Sequence, residues 1–192
     1  MTVAMWTTAR TFLERRQPGQ GRASHLIVVD AGNAFDPYII SDAARAAGEI
    51  PERWLARVSI ARAFTVHQLE VLITKRLPAL CGEASPVLLL GLLDLFGDEA
   101  VPNPEAHRIF RGILWTFQRL VKRRCHLLVA CPSPVERSRE AHLFPLLRRL
   151  ASWILRIQAT GDGSYLVLQE HPNHASRISK RFVWGYSQRG KE

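Results

Sequence analysis

The stretch that most limits what this chain can fold into runs from His25 to Phe64, HLIVVDAGNAFDPYIISDAARAAGEIPERWLARVSIARAF. Its pattern is strand, loop, helix, connector, strand. Leu26 to Val29 is apolar and β-branched with no polar alternation, the mark of a strand covered on both faces, as in a parallel sheet. Asp30, Gly32 and Asn33 break it. Asp36 is placed to cap a helix that opens with Pro37 and carries small residues through Ala47, where Gly48 stops it. A second short strand, Val58 to Ala61, follows, and the connection is long enough for a right-handed crossover. The stretch therefore predicts α/β architecture.

The same alternation continues downstream. Thr65 is a good N-cap for VHQLEVLITKRL, which puts Leu69, Leu72, Ile73 and Leu77 on one face and ends before Pro78. Val87 to Leu90, running on through Gly91 to Asp94, reads as a third buried strand. From Glu105 to Arg124 the apolar residues Ile109, Phe110, Ile113, Leu114, Phe117, Leu120 and Val121 recur at helical spacing and predict the longest helix. His126 to Cys131 reads as a fourth buried strand, and Pro132 to His142 as an exposed loop. Leu146 to Trp153 is a short helix or strand. Ile154 to Ala159 and Tyr165 to Gln169 flank Gly161-Asp162-Gly163 as an antiparallel pair. Thr8 to Arg16 is a plausible short helix. A single domain over residues 1–185 with a disordered tail at 186–192 is the economical reading of 192 residues, 47% of them hydrophobic.

Charge adds a constraint on partners. With 26 Lys and Arg against 17 Asp and Glu, the formal charge is +9 and the isoelectric point about 10.3, which favours a polyanion such as nucleic acid. The basic residues fall in groups: Lys122, Arg123 and Arg124; Arg137 and Arg139, with Arg148 and Arg149 beyond; and Arg177, Lys180 and Arg181. Cys81, Cys125 and Cys131 form no CxxC pair and read as reduced thiols of a cytoplasmic protein. The longest apolar run, Pro86 to Phe96, is interrupted by Asp94 and is shorter than a bilayer span, so no membrane association is expected.

Ligands of open parallel sheets bind at the carboxyl ends of the strands, which here carry Asp30, Gly32, Asn33, Arg62, Phe64, Gly91, Asp94, Cys131 and Ser133. No GxxxxGK[ST] loop and no GxGxxG motif occurs, so phosphate-loop nucleotide binding is unsupported. His171 with His174, and Cys125 and His126 with Cys131, lack a second half-site at zinc-ligand spacing. Ser133 and His142 lack a GxSxG elbow and an orienting acid. Neither a metal nor a cofactor is expected.

HLIVVD followed by Phe35 and a helix, then SIARAFTVHQLEVLI, resembles the region after the phosphate loop in RecA/RadA-type recombinases and their paralogues. The family's Ala-Arg-Ala-Phe turn and His-Gln pair correspond to Ala61, Arg62, Ala63, Phe64, His67 and Gln68. VLLLGLLDLF resembles the Walker B strand, HLLVAC the strand before the second DNA-binding loop, and IQATGDGSYLVLQEHP the closing strands. The resemblance spans roughly residues 7 to 185. It implies a RecA-like, mostly parallel sheet flanked by helices, with C-terminal antiparallel strands and the phosphate-loop strand missing. Relative to the family, Thr7-Thr8 falls where the helix after the phosphate loop starts. The family's magnesium-holding Asp falls at Gly91 and its catalytic Glu at Gly32, two positions beyond Asp30, so Asp30, Gly32 and Gly91 mark degenerate ATPase positions. Asp94, three residues late, is a displaced metal ligand or a loop carboxylate.

These departures point to a non-catalytic paralogue acting in DNA recombination or repair, binding DNA, single-stranded in particular, through its basic groups or joining another RecA-like subunit. Two alternatives stand beside it. One is a DNA-dependent ATPase whose start is misassigned, and the other an assembly subunit that does not touch DNA. The vacancy left by the missing strand is expected to close by direct pairing of His126–Cys131 with Ile154–Ala159.

Overall fold

The computed structural model describes residues 25–82, 85–136, 138–159, 164–171 and 174–183, with side chains through residue 158. It divides into two compact units, Met1–Pro145 and Leu146–Glu192. The expected helix at Thr8–Arg16, Thr7-Thr8 and the tail at 186–192 lie outside the described residues.

The first unit is built on four parallel strands, β1 (Leu26–Asp30), β2 (Val58–Arg62), β3 (Pro86–Leu90) and β4 (His126–Ala130), in the order β2-β1-β3-β4. Every residue of β1 is buried, as its unbroken apolar run requires of a strand that has a neighbour on each side and helices above and below. Alternation along the strands splits their side chains between two layers. Leu26 and Val28 with Leu88 and Leu90 form one core with Phe35, Ile40, Ala43, Ala44 and Trp54. Those residues belong to the loop after β1 and to two helices, α1 (Pro37–Ala46) and α2 (Pro51–Leu55). The helices α3 (Val66–Val71) and α5 (Asn103–Lys122) pack on each other, and since the strand order reverses direction after β2, the right-handed crossover rule places them on the other face.

Helix starts follow the local chemistry. The Asp36 carboxylate accepts from Tyr38 N at 2.9 Å with Pro37 at the first position, and Thr65 Oγ1 accepts from Gln68 N at 3.2 Å. The helix after Thr65 does not stop before Pro78. It widens into a π-helical stretch, Leu72–Arg76, and continues as α4 (Leu77–Leu80). A proline in regular helix clashes with the carbonyl four residues back, and the wider turn just before Pro78 accommodates it.

The expected third strand is also cut short. It ends at Leu90, because Gly91 adopts φ +65° and donates to Ala130 O at 2.9 Å while accepting from Asp94 N at 3.0 Å. The chain turns there into a short 3-10 helix, Asp94–Gly97. Its Phe96 is buried edge-on against Phe110 of α5, with ring centroids 5.2 Å apart. The long helix itself buries Ala106, Ile109, Phe110, Ile113, Thr116, Phe117 and Leu120 along one stripe. It closes on Arg124 at φ +62°, with Arg124 N donating to Val121 O and Cys125 N to Leu120 O, a Schellman closure without the usual glycine.

Helix α6 covers Phe144–Leu150. The second unit is an antiparallel meander, β5 (Ile154–Ala159), β6 (Ser164–His171) and β7 (His174–Val183). The third of these strands is absent from the sequence reading, which ends the antiparallel pattern at Gln169. Among the described residues β4 pairs with β3 and β5 with β6. Consistent with an edge position, β4 is half-buried rather than covered on both faces.

Candidate functional site

Because the four strands are parallel, their carboxyl ends share one edge, and the loops that follow meet there. Asp30 closes β1 with its side chain fully buried. Oδ1 accepts from Ala34 N at 2.9 Å and Oδ2 from Phe35 N at 3.1 Å, so the carboxylate folds the 31–35 loop over itself. Arg62 Nε, from the end of β2, lies 3.4 Å from Oδ2. This pair exists because β1 and β2 are in register with Asp30 opposite Arg62. A buried carboxylate with two backbone donors and a guanidinium has its acceptor sites occupied.

Gly32 and Gly91 are in backbone contact. A Cβ built at Gly91 would lie 2.5 Å from Gly32 Cα, 2.6 Å from Gly32 N and 2.7 Å from Asp94 Oδ2. With its left-handed φ, this position accepts glycine on two separate grounds. The two positions at which the resemblance places a metal-holding Asp and a catalytic Glu are thus a close crossing of two main chains.

The next loop is equally committed. Phe64 N donates to Gln68 Oε1 at 2.9 Å, which ties the strand end to the first turn of α3, and the Phe64 ring is 68% exposed. His67 Nε2 lies 3.1 Å from Glu105 Oε1, and Arg108 Nη1 lies 2.9 Å from Glu70 Oε1, joining α3 to α5. Arg62, Phe64, His67 and Gln68 therefore stand together, with Arg62, His67 and Gln68 each paired to another group of the chain.

The segment after β4 is pinned rather than free. Arg139 donates to Asp98 O, to Val101 O and, at 2.7 Å, to Asn103 Oδ1, and His142 stacks on His107 with centroids 4.3 Å apart. Leu143 is buried behind them. This brings Glu140 near Asp94, and burial with the Glu140 charge raises the Asp94 carboxyl above the ordinary carboxylate value. Burial and then the Asp94 charge push the Cys131 thiol up to about 11. Both effects make these groups hold their protons more readily than in water. Among the described residues no group of three or more His, Cys, Asp or Glu side chains could hold a metal ion.

Within the first unit the described basic groups lie at opposite edges of the sheet. Lys122, Arg123 and Arg124 end α5 beside the start of β4, at the amino edge of the sheet, whereas Arg139 follows the carboxyl end of β4. Arg123 Nη1 reaches Pro78 O at 3.4 Å. Arg123 also draws down the nearby Cys81 thiol, although burial and the neighbouring Cys125 thiol hold Cys81 up at about 12. Arg137 lies outside the described residues. Arg177, Lys180 and Arg181 lie on β7, in register with Glu170, Val167 and Leu166 of β6. Among the described residues no helix is long and apolar enough to cross a membrane. Arg111, Trp115 and Arg119 form an exposed line on α5, whose only signal in the sequence is their spacing of four residues.

No protein-family model matches the chain, and no curated protein matches it significantly.

Proposed function

We propose that this chain is a RecA/RadA-like paralogue without ATPase chemistry of its own, acting in DNA recombination or repair as a DNA-binding or accessory module. The observation that carries the non-catalytic part is the crossing of Gly32 and Gly91. Phosphoryl transfer in this class needs a metal clamp and a carboxylate that orients water. At the corresponding positions this chain has no side chain at all, and Asp30 beside them is spent on Ala34 N, Phe35 N and Arg62. A four-stranded parallel sheet followed by an antiparallel meander is compatible with the RecA-like reading. The charge of +9 supports a polyanionic partner.

The test pairs two measurements on the purified chain. Titration with a labelled single-stranded oligonucleotide over a range of salt should give binding whose logarithm falls with the logarithm of salt, by about 0.7 per phosphate neutralised. Phosphate release from magnesium-ATP, with and without that oligonucleotide, should stay at the level of a mock purification. Magnesium-dependent turnover above that level overturns the non-catalytic reading, and no binding at low salt overturns the nucleic-acid reading.

A further inference from the structure

We propose that the outward face of α5 is a docking surface for single-stranded nucleic acid, with Trp115 as a stacking platform for an unpaired base and Arg111, Arg119 and Lys122 as phosphate contacts. The proposal rests on the nucleic-acid part of the function proposed above and assigns it a surface away from the strand-end loops.

The helix buries the stripe through Ile109, Ile113, Phe117 and Leu120. Diametrically opposite, Arg108, Arg111, Trp115, Arg119 and Lys122 follow one another at intervals of three and four residues, so they form one line. By helical rise that line is about 21 Å long. Trp115 stands in it 57% exposed. The Arg119 guanidinium carbon sits 4.5 Å from the centroid of its ring, a cation–π contact on one face of the indole that favours this rotamer.

Charge on this face is unbalanced. Arg108 is paired with Glu70 at 2.9 Å and with Glu105 at 3.9 Å. Arg111, Arg119 and Lys122 have no carboxylate within ion-pair distance among the described residues, and the helix carries no acid after Glu105. Three cations without counter-charges around one held aromatic ring match the two things single strands offer, a phosphate at every step and a base whose π-face is free. A duplex hides its base faces. A bilayer-surface helix turns a broad apolar face outward, whereas here that face is in the core and Trp115 is the one large apolar side chain on the line.

Fluorescence anisotropy with labelled oligothymidylate tests the assignment. Charge reversal of Arg111, Arg119 and Lys122 together should lower the slope of log affinity against log salt by about 2, the loss of three phosphate contacts. Trp115→Ala should weaken binding about tenfold, and Trp115→Phe should recover most of it. Replacing the bases by abasic sites should weaken the wild-type chain and leave Trp115→Ala unchanged, a cancellation that misfolding cannot imitate. All these side chains are exposed, and circular dichroism and melting curves confirm that each variant is folded. If the α5 variants bind as wild type while charge reversal of Arg177, Lys180 and Arg181 abolishes binding, the surface is overturned and the nucleic-acid reading stands. If wild type fails to bind the oligonucleotide, or binds phosphatidylserine vesicles in its place, both fall.

Discussion

The carboxyl edge of the parallel sheet and the outer face of α5 are both rich in charged and aromatic residues, yet they use them in opposite ways. At the sheet edge the polar groups are matched to one another: Asp30 with Arg62 and two backbone N–H groups, Gln68 with Phe64 N, Arg139 with two carbonyls and Asn103. On α5 the cations Arg111, Arg119 and Lys122 meet no carboxylate among the described residues, and Trp115 faces water. A charged residue at a strand end is thus a poor guide to binding when its own loop consumes it. A charge left unmatched on a rigid helix is the better one, since nothing in the fold accounts for it.

Variants at the sheet edge should therefore act on stability, and the largest effect is expected at the glycine crossing. Gly91→Asp places a Cβ 2.5 Å from Gly32 Cα in a left-handed conformation, and should cost about 3 kcal/mol or more in a urea melt. It should bring no ATPase activity. A stable, magnesium-binding variant would break the comparison, because the edge would then be a site waiting for its acid.

Next in size is Asp30→Ala, which strands Ala34 N and Phe35 N and is expected to cost about 2 to 4 kcal/mol. Asp30→Asn, keeping an acceptor, should lose less than half of that. Removing the Arg139 guanidinium as Arg139→Met should cost about 2 kcal/mol by the same assay, since two carbonyls and Asn103 lose their donor. By contrast, the charge reversals on α5 should move stability by no more than about 0.5 kcal/mol. If they unfold the protein as Arg139→Met does, the contrast between the two regions disappears.

The smallest effect sharpens the comparison through pH. The Asp94 carboxyl is raised in the folded protein by burial and by Glu140. A raised carboxyl favours the folded state only while protonated, so its penalty is absent below the unfolded value and grows as pH climbs through the folded one. Asp94→Asn should then stabilise the protein at neutral pH and leave it unchanged in acid. The gain should be a few tenths of a kcal/mol, because the group is largely exposed and screened. Equal melting temperatures of the two proteins at neutral pH would show that Glu140 does not act on Asp94.

Much of the architecture was legible because periodicity and capping are local. β1, the Asp36 and Thr65 caps and the long helix lie where their patterns put them. What escaped were decisions made by contacts distant in sequence. The strand through Gly91 ends early because Gly32, about sixty residues away, needs the space, and no apolar pattern announces that. The loop after β4 is exposed or half-exposed, as its prolines and charges suggest, but nothing local shows that Arg139 ties it to carbonyls about forty residues back. Half-burial of β4 reflects its edge place in the sheet order, which composition does not specify. For the site, Asp30 and Arg62 were visible as strand ends, but that they would satisfy each other depended on the register of β1 against β2.

The central place of β1 has a consequence for how the chain is made. Ile27 faces Ser59 on one side and Val87 on the other, so its first neighbour emerges from the ribosome well before its second. At about 5–20 residues per second, the stretch between Ile27 and Val87 takes roughly 3–12 s to synthesise. During that time LIVVD, buried along its whole length in the finished sheet, has one hydrogen-bonding edge without its partner. Nascent chains of this protein are therefore most exposed to misassociation and to chaperone capture before Leu90 is released, and translation pauses within Val66–Leu80 should lengthen that interval.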